Sequence, residues 1–153
     1  MKNDKIKFGG EQMSRVGYSK YIIELRNEVL TLKDLNSAYN LVIEKIILET
    51  KRFLMALAKV ASAGERSFSF EYNNITFSIC QDNRGLYSCS YSFQSDDKDI
   101  VQIVKETQCS SDVAVQIYIL KNSEEIIKKC IETVRKICSE IHQQIEVLSQ
   151  FSS

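Results

Sequence analysis

The sequence predicts an α+β protein of two layers: an antiparallel or mixed four-stranded sheet with long helices packed on one face. Three observations carry that expectation. Residues 123–151 hold one apolar seam at helical spacing, residues 34–63 hold another, and residues 67–93 between them switch to alternation with period two. The expected element order is α-α-β-β-β-(α)-β-α, the bracketed element being either a helix or a strand.

Residues 1–17 are polar and contain Gly9, Gly10 and Gly17, so they read as a flexible N-terminal arm. A single domain is expected over residues 18–153. It opens with a short helix from about Ser19 to Leu30, on which Ile22, Leu25 or Arg26, and Val29 recur at helical spacing. Thr31-Leu32-Lys33-Asp34 then offers a fresh cap. From there a second helix runs to about Ala63 and stops at Gly64. Its main apolar stripe is Leu35, Tyr39, Val42, Ile46, Phe53, Leu57 and Val60. Leu41, Leu48 and Met55, seven apart, make another stripe on a different side of the cylinder. A helix that is apolar on two sides is sandwiched between two neighbours.

Phe68, Phe70 and Tyr72 alternate with small or polar residues, as do Ile75, Phe77 and Ile79, and Asn73-Asn74 sits between the two runs. A two-residue loop pairs Tyr72 with Ile75, Phe70 with Phe77 and Phe68 with Ile79, which puts all six on one face. Asp82-Asn83-Arg84-Gly85 makes a second turn, and Tyr87, Cys89, Tyr91 and Phe93 continue the apolar face. Ser95 or Asp96 is the candidate cap of a short helix through about Thr107, with a strand as the alternative. Asp112 to Leu120 reads as the fourth strand, with Val113, Val115, Ile117 and Ile119 facing in.

The last helix starts at Asn122-Ser123-Glu124-Glu125, a capping residue followed by acid in the first turn. Ile127, Ile131, Val134, Cys138, Ile141, Ile145 and Leu148 then alternate steps of four and three along a single seam, widened by Cys130, Ile137 and Phe151. A helix of about 28 residues is roughly 42 Å long, whereas six-residue strands span only about 20 Å. The helices therefore overhang the sheet. A homodimer built from helices, with Leu41, Leu48 and Met55 as the self-association residues, is the simplest way to cover what is left.

Composition excludes several classes of function. Twenty basic and twenty acidic residues cancel, which argues against a nucleic-acid partner. No leader-like apolar segment follows Met1, and no run of about 18 apolar residues is present, so neither secretion nor a membrane partner is expected. Five cysteines without short metal spacing read as free thiols in a reducing cytoplasm. Proline is absent.

Little of the sequence points to catalysis. The single histidine, His142, shares a helical side with Cys138 and Glu146. A zinc site needs three or four ligands and a thiol nucleophile needs an oriented base, so packing is the expected role of Cys138. No glycine-rich phosphate loop occurs, and no metal or cofactor is expected. The unusual feature is the other face of the sheet. Ser67, Ser69, Thr76, Ser78, Cys80, Ser88, Ser90 and Ser92 make it a field of small neutral groups, where a plain solvent face carries Lys, Glu and Arg. Ordering such a face costs little side-chain freedom, which suits docking, and Ser69, Ser78, Ser88 and Ser90 are the candidate contacts. The reading is a non-enzymatic cytoplasmic protein of the adaptor, chaperone, immunity or inhibitor type. Its rival is a small enzyme or ligand-binding protein with a pocket between sheet and helices, near Cys138 and His142 or near Tyr87 and Tyr91.

Overall fold

A computed structural model describes residues 12–152, with side chains from Tyr18 onward. The fold is α+β, with four α-helices and a three-stranded antiparallel sheet of order β1-β2-β3 among the described residues. The elements are α1 (Gln12–Ala61), β1 (Phe68–Tyr72), β2 (Ile75–Gln81), β3 (Tyr87–Ser92), α2 (Lys98–Thr107), α3 (Ser111–Lys121) and α4 (Ser123–Ser149). The chain divides into two compact units, with the boundary between Glu44 and Lys45.

Two expected helices are one. α1 runs without a break through the Thr31–Asp34 cap signal. The reason is local: the Thr31 hydroxyl donates to the carbonyl of Asn27 at 3.1 Å, four residues back, and so stays inside the helix instead of capping a new one. No proline is available to force a stop. Residues 12–17 of the expected arm belong to α1, and residues 1–11 lie outside the described residues. The described part of the first unit is helix throughout, and every side chain from Tyr18 to Val42 is exposed.

In the second unit the hairpin forms in the expected register, Phe68 opposite Ile79, Phe70 opposite Phe77 and Tyr72 opposite Ile75. Asn73 takes φ 52°, a left-handed conformation that asparagine tolerates better than most residues. The second turn is held by Asp82, whose carboxylate accepts from the backbone N–H of Arg84 at 2.8 Å and of Leu86 at 2.9 Å. Gly85 supplies the φ of 86° that turn requires.

The segment left open between helix and strand is helix α2, capped by Asp97 rather than by Ser95 or Asp96. The expected fourth strand is helix α3. Its alternation of Val113, Val115, Ile117 and Ile119 imitates a strand, yet Ala114 between them is also fully buried, and Ser110 caps the segment by accepting from the N–H of Val113 at 3.2 Å. A segment apolar on nearly every side can be buried as a helix, and period alone does not separate the two cases. The four-stranded sheet is therefore replaced by three strands and an extra helix.

The core of the second unit joins Phe70, Ile75, Phe77 and Ile79 of the sheet to Ile100, Val113, Ala114, Val115, Ile119, Ile126 and Cys130 of the helices. Burying each large apolar side chain contributes about 1.5–3 kcal/mol. Phe70 and Phe77 stack across the strands with ring centroids 5.1 Å apart. Asn122, expected to cap α4, makes no side-chain cap there. Its amide instead donates to the Tyr118 carbonyl at 2.8 Å and accepts from the Tyr72 hydroxyl at 3.2 Å, tying the α3–α4 junction to the end of β1.

Candidate functional site

The serine face is assembled by strand register. Ser69 lies opposite Ser78, and Ser78 lies opposite Ser90, so three serines form one row across all three strands. Ser88 sits on the next row, opposite Cys80. Ser69, Ser88 and Ser90 are exposed, and Ser78, on the central strand, is half-buried. The hydroxyl of Thr76 reaches the Glu71 carboxylate at 3.4 Å, and the Ser67 hydroxyl accepts from the backbone N–H of Gln81 at 3.3 Å. Apart from Glu71, this face of the three strands carries no formal charge.

The second candidate surface is helical. Leu41 and Met55 are each more than 60% exposed, and Leu48 is also exposed. Leu41 belongs to the first unit. In the second unit, Met55 lines a cavity of about 660 Å³ with Lys51, Leu86, Tyr87 and Tyr91. Gln116 reaches the same cavity. Its side-chain N–H donates to the Tyr91 hydroxyl at 3.2 Å, while its buried Oε1 has no partner. Gln116 and Tyr91 thus bring one hydrogen-bonded polar pair to this cavity, beside Tyr87.

The surroundings of Cys138 and His142 are arranged differently. Ile126 and Cys130 of α4 are buried, and Ile137 and Ile141 are half-buried, so the covered side is rotated from the heptad seam. Cys138, expected in the packing, is exposed. It lies along an apolar groove of about 460 Å³ lined by Leu57, Val60, Phe68, Ile131 and Val134, with Arg66 and Arg135 beside it. His142 points elsewhere, with Nε2 3.8 Å from the Glu146 carboxylate on the exposed side of the helix. Among the described residues, no three His, Cys, Asp or Glu side chains come together as metal ligands would, and no helix is long and apolar enough to cross a membrane.

All five cysteines are free thiols. Burial pushes the Cys89 thiol up to about 11, with smaller contributions from Cys130 and Cys80, and burial alone raises Cys130. Neither is a reactive thiolate at neutral pH. Asp97 is held below the usual carboxylate range, first by the Asn74 side chain at 2.7 Å and then by the backbone N–H groups of Ile100 and Asp99. That is the signature of a structural cap. Burial raises the Tyr118 hydroxyl, which accepts a hydrogen bond from the Asn73 amide.

No protein-family model, curated protein or solved structure matches this chain.

Proposed function

We propose that this is a non-enzymatic protein-binding protein that self-associates through its helices and docks a second protein on the serine-rich sheet face. In this reading the helices form a second layer on the apolar side of the sheet and leave the serine side for the partner. The observation that carries it is the apolar surface along α1, where Ile22, Ile23, Leu25, Val29, Leu30, Leu32 and Leu35 are all exposed. A helix in water does not hold such a surface without a protein to cover it.

The test is a purified Ser78→Arg/Ser88→Arg variant used as bait beside the wild type. Two long cations on a flat face block a close partner, so captured protein should be lost while sedimentation and the melting curve stay unchanged. Capture that survives both arginines would remove the sheet face from the proposal. A second reading, a ligand-binding protein that uses the cavity beside Tyr91, is favoured by the unpartnered Gln116 oxygen. The double arginine variant would leave a small-molecule ligand bound there, which separates the two.

A further inference from the structure

Because α1 is continuous, its apolar residues can be placed in a single heptad frame. With Ile22 at position a, the a positions are Ile22, Val29, Asn36 and Ile43, and the d positions are Leu25, Leu32, Tyr39 and Ile46. The frame holds through four heptads without a slip. Ile22, Leu25, Val29, Leu32 and Asn36 are all exposed. Farther along, in the second unit, the same frame passes through Thr50, Phe53 and Leu57, which are buried or half-buried. Val60, the next d position, is exposed again, so the seam is only partly covered in the second unit, and in the first it stands exposed from Ile22 to Asn36.

We propose that residues 18–44 of α1 pair with the same segment of a second copy of this chain as a parallel, in-register, two-stranded coiled coil. The inference rests on the helical self-association proposed above and specifies its geometry. Three independent features select this occupant. Spacing comes first: an apolar repeat of seven accepts another helix by knobs-into-holes packing. Residue type comes second. β-Branched Ile22, Val29 and Ile43 at a, with Leu25 and Leu32 at two of the d positions and Tyr39 at another, favour two strands. The single Asn36 at a pairs with its own copy, at some cost in stability, to set register and number.

Charge comes third. In a parallel pair, Glu28 at g meets Lys33 at e of the partner helix, twice by symmetry, and Tyr21 meets Arg26, so no like charges face each other. An antiparallel pair would instead bring the e sides together, with Arg26 and Lys33 of both helices on the shared edge. Leu41 and Leu48 fall at f, the position farthest from this seam. Self-association through the seam therefore leaves the Leu41, Leu48 and Met55 stripe outside.

The test is sedimentation of the full chain in reducing buffer, from low to high micromolar. The wild type should show the mass of two chains. Leu32→Glu places a charge in the seam and should give monomers, whereas Leu41→Glu should remain dimeric. Glu28→Lys should weaken the dimer about tenfold at low salt, and Glu28→Lys combined with Lys33→Glu should restore it. The cooperative melt of the sheet-containing unit should be the same in all variants, which guards against simple misfolding. A wild type that stays monomeric would overturn both this geometry and the self-association reading. A dimer lost in Leu41→Glu but kept in Leu32→Glu, a charge swap that fails to rescue, or a mass of three chains would overturn the geometry and leave that reading standing.

Discussion

Cys89 shows how far a single side chain can report on the fold around it. Its thiol is neutral when protonated, and burial raises its pKa from 9.0 to about 11. Between those values the unfolded chain has given up a proton that the folded chain still holds. By linkage, stability is unaffected by this group below pH 9 and falls as pH rises from about 9 toward about 11. Urea midpoints measured on either side of that window should show the fall, and Cys89→Ala should make it shallower, the raised Cys130 and Tyr118 groups supplying the remainder. An unchanged slope in the variant would show that Cys89 is not the group responsible. In a thiol-labelling time course the exposed Cys80 and Cys138 should react first, with Cys109 and Cys130 waiting for unfolding.

At the scale of elements, the contact between the first hairpin and α2 passes through Asp97. Its carboxylate accepts from the backbone N–H of Asp99 at 3.0 Å and of Ile100 at 3.3 Å, and from the Asn74 side chain. Asp97→Ala should cost about 1 kcal/mol in urea unfolding, the ordinary worth of an N-cap. Its pKa is depressed, so that contribution is present above the ordinary carboxylate value and lost as pH falls through the folded one; the variant should therefore melt like the wild type in strong acid. The hairpin was legible because one face of it is buried, and a one-residue slip would turn Phe70 and Phe77 into water. α3 was not legible from period, since Val113, Val115, Ile117 and Ile119 satisfy a strand as well as a buried helix. The deciding signal lay outside the pattern, in Ser110 and Asp112 at its start. The serine row followed from the same alternation as the hairpin. The Asn36 seam did not, because reading Thr31 as a cap cut the heptad frame in two and left Asn36 looking like an ordinary surface residue.

For the whole molecule, the two units should differ in what keeps them folded. The core of the second unit comes from its own side chains, with Phe77, Ile79, Ala114, Val115, Ile119 and Ile126 inaccessible to solvent. The exposed stretch of α1 has no such core of its own, and isolated helices in water are marginal. Amide exchange should therefore slow with protein concentration for residues 18–42 and be independent of concentration for Ile75 to Ile79, as measured by mass spectrometry over a dilution series. Protection of residues 18–42 that does not change on dilution would mean that no second chain stabilises them.

The neutrality of the serine row bears on time as well as on affinity. Ser69, Ser78 and Ser90 carry no charge, and the chain as a whole carries no net charge. Long-range steering raises association rates only where fields of opposite sign draw two molecules together. A partner that docks on this row arrives by unguided diffusion and turns into place at close range, at the ordinary pace of about 10⁵–10⁷ M⁻¹s⁻¹. Its arrival is then little affected by ionic strength, and discrimination between partners rests on how long each one stays.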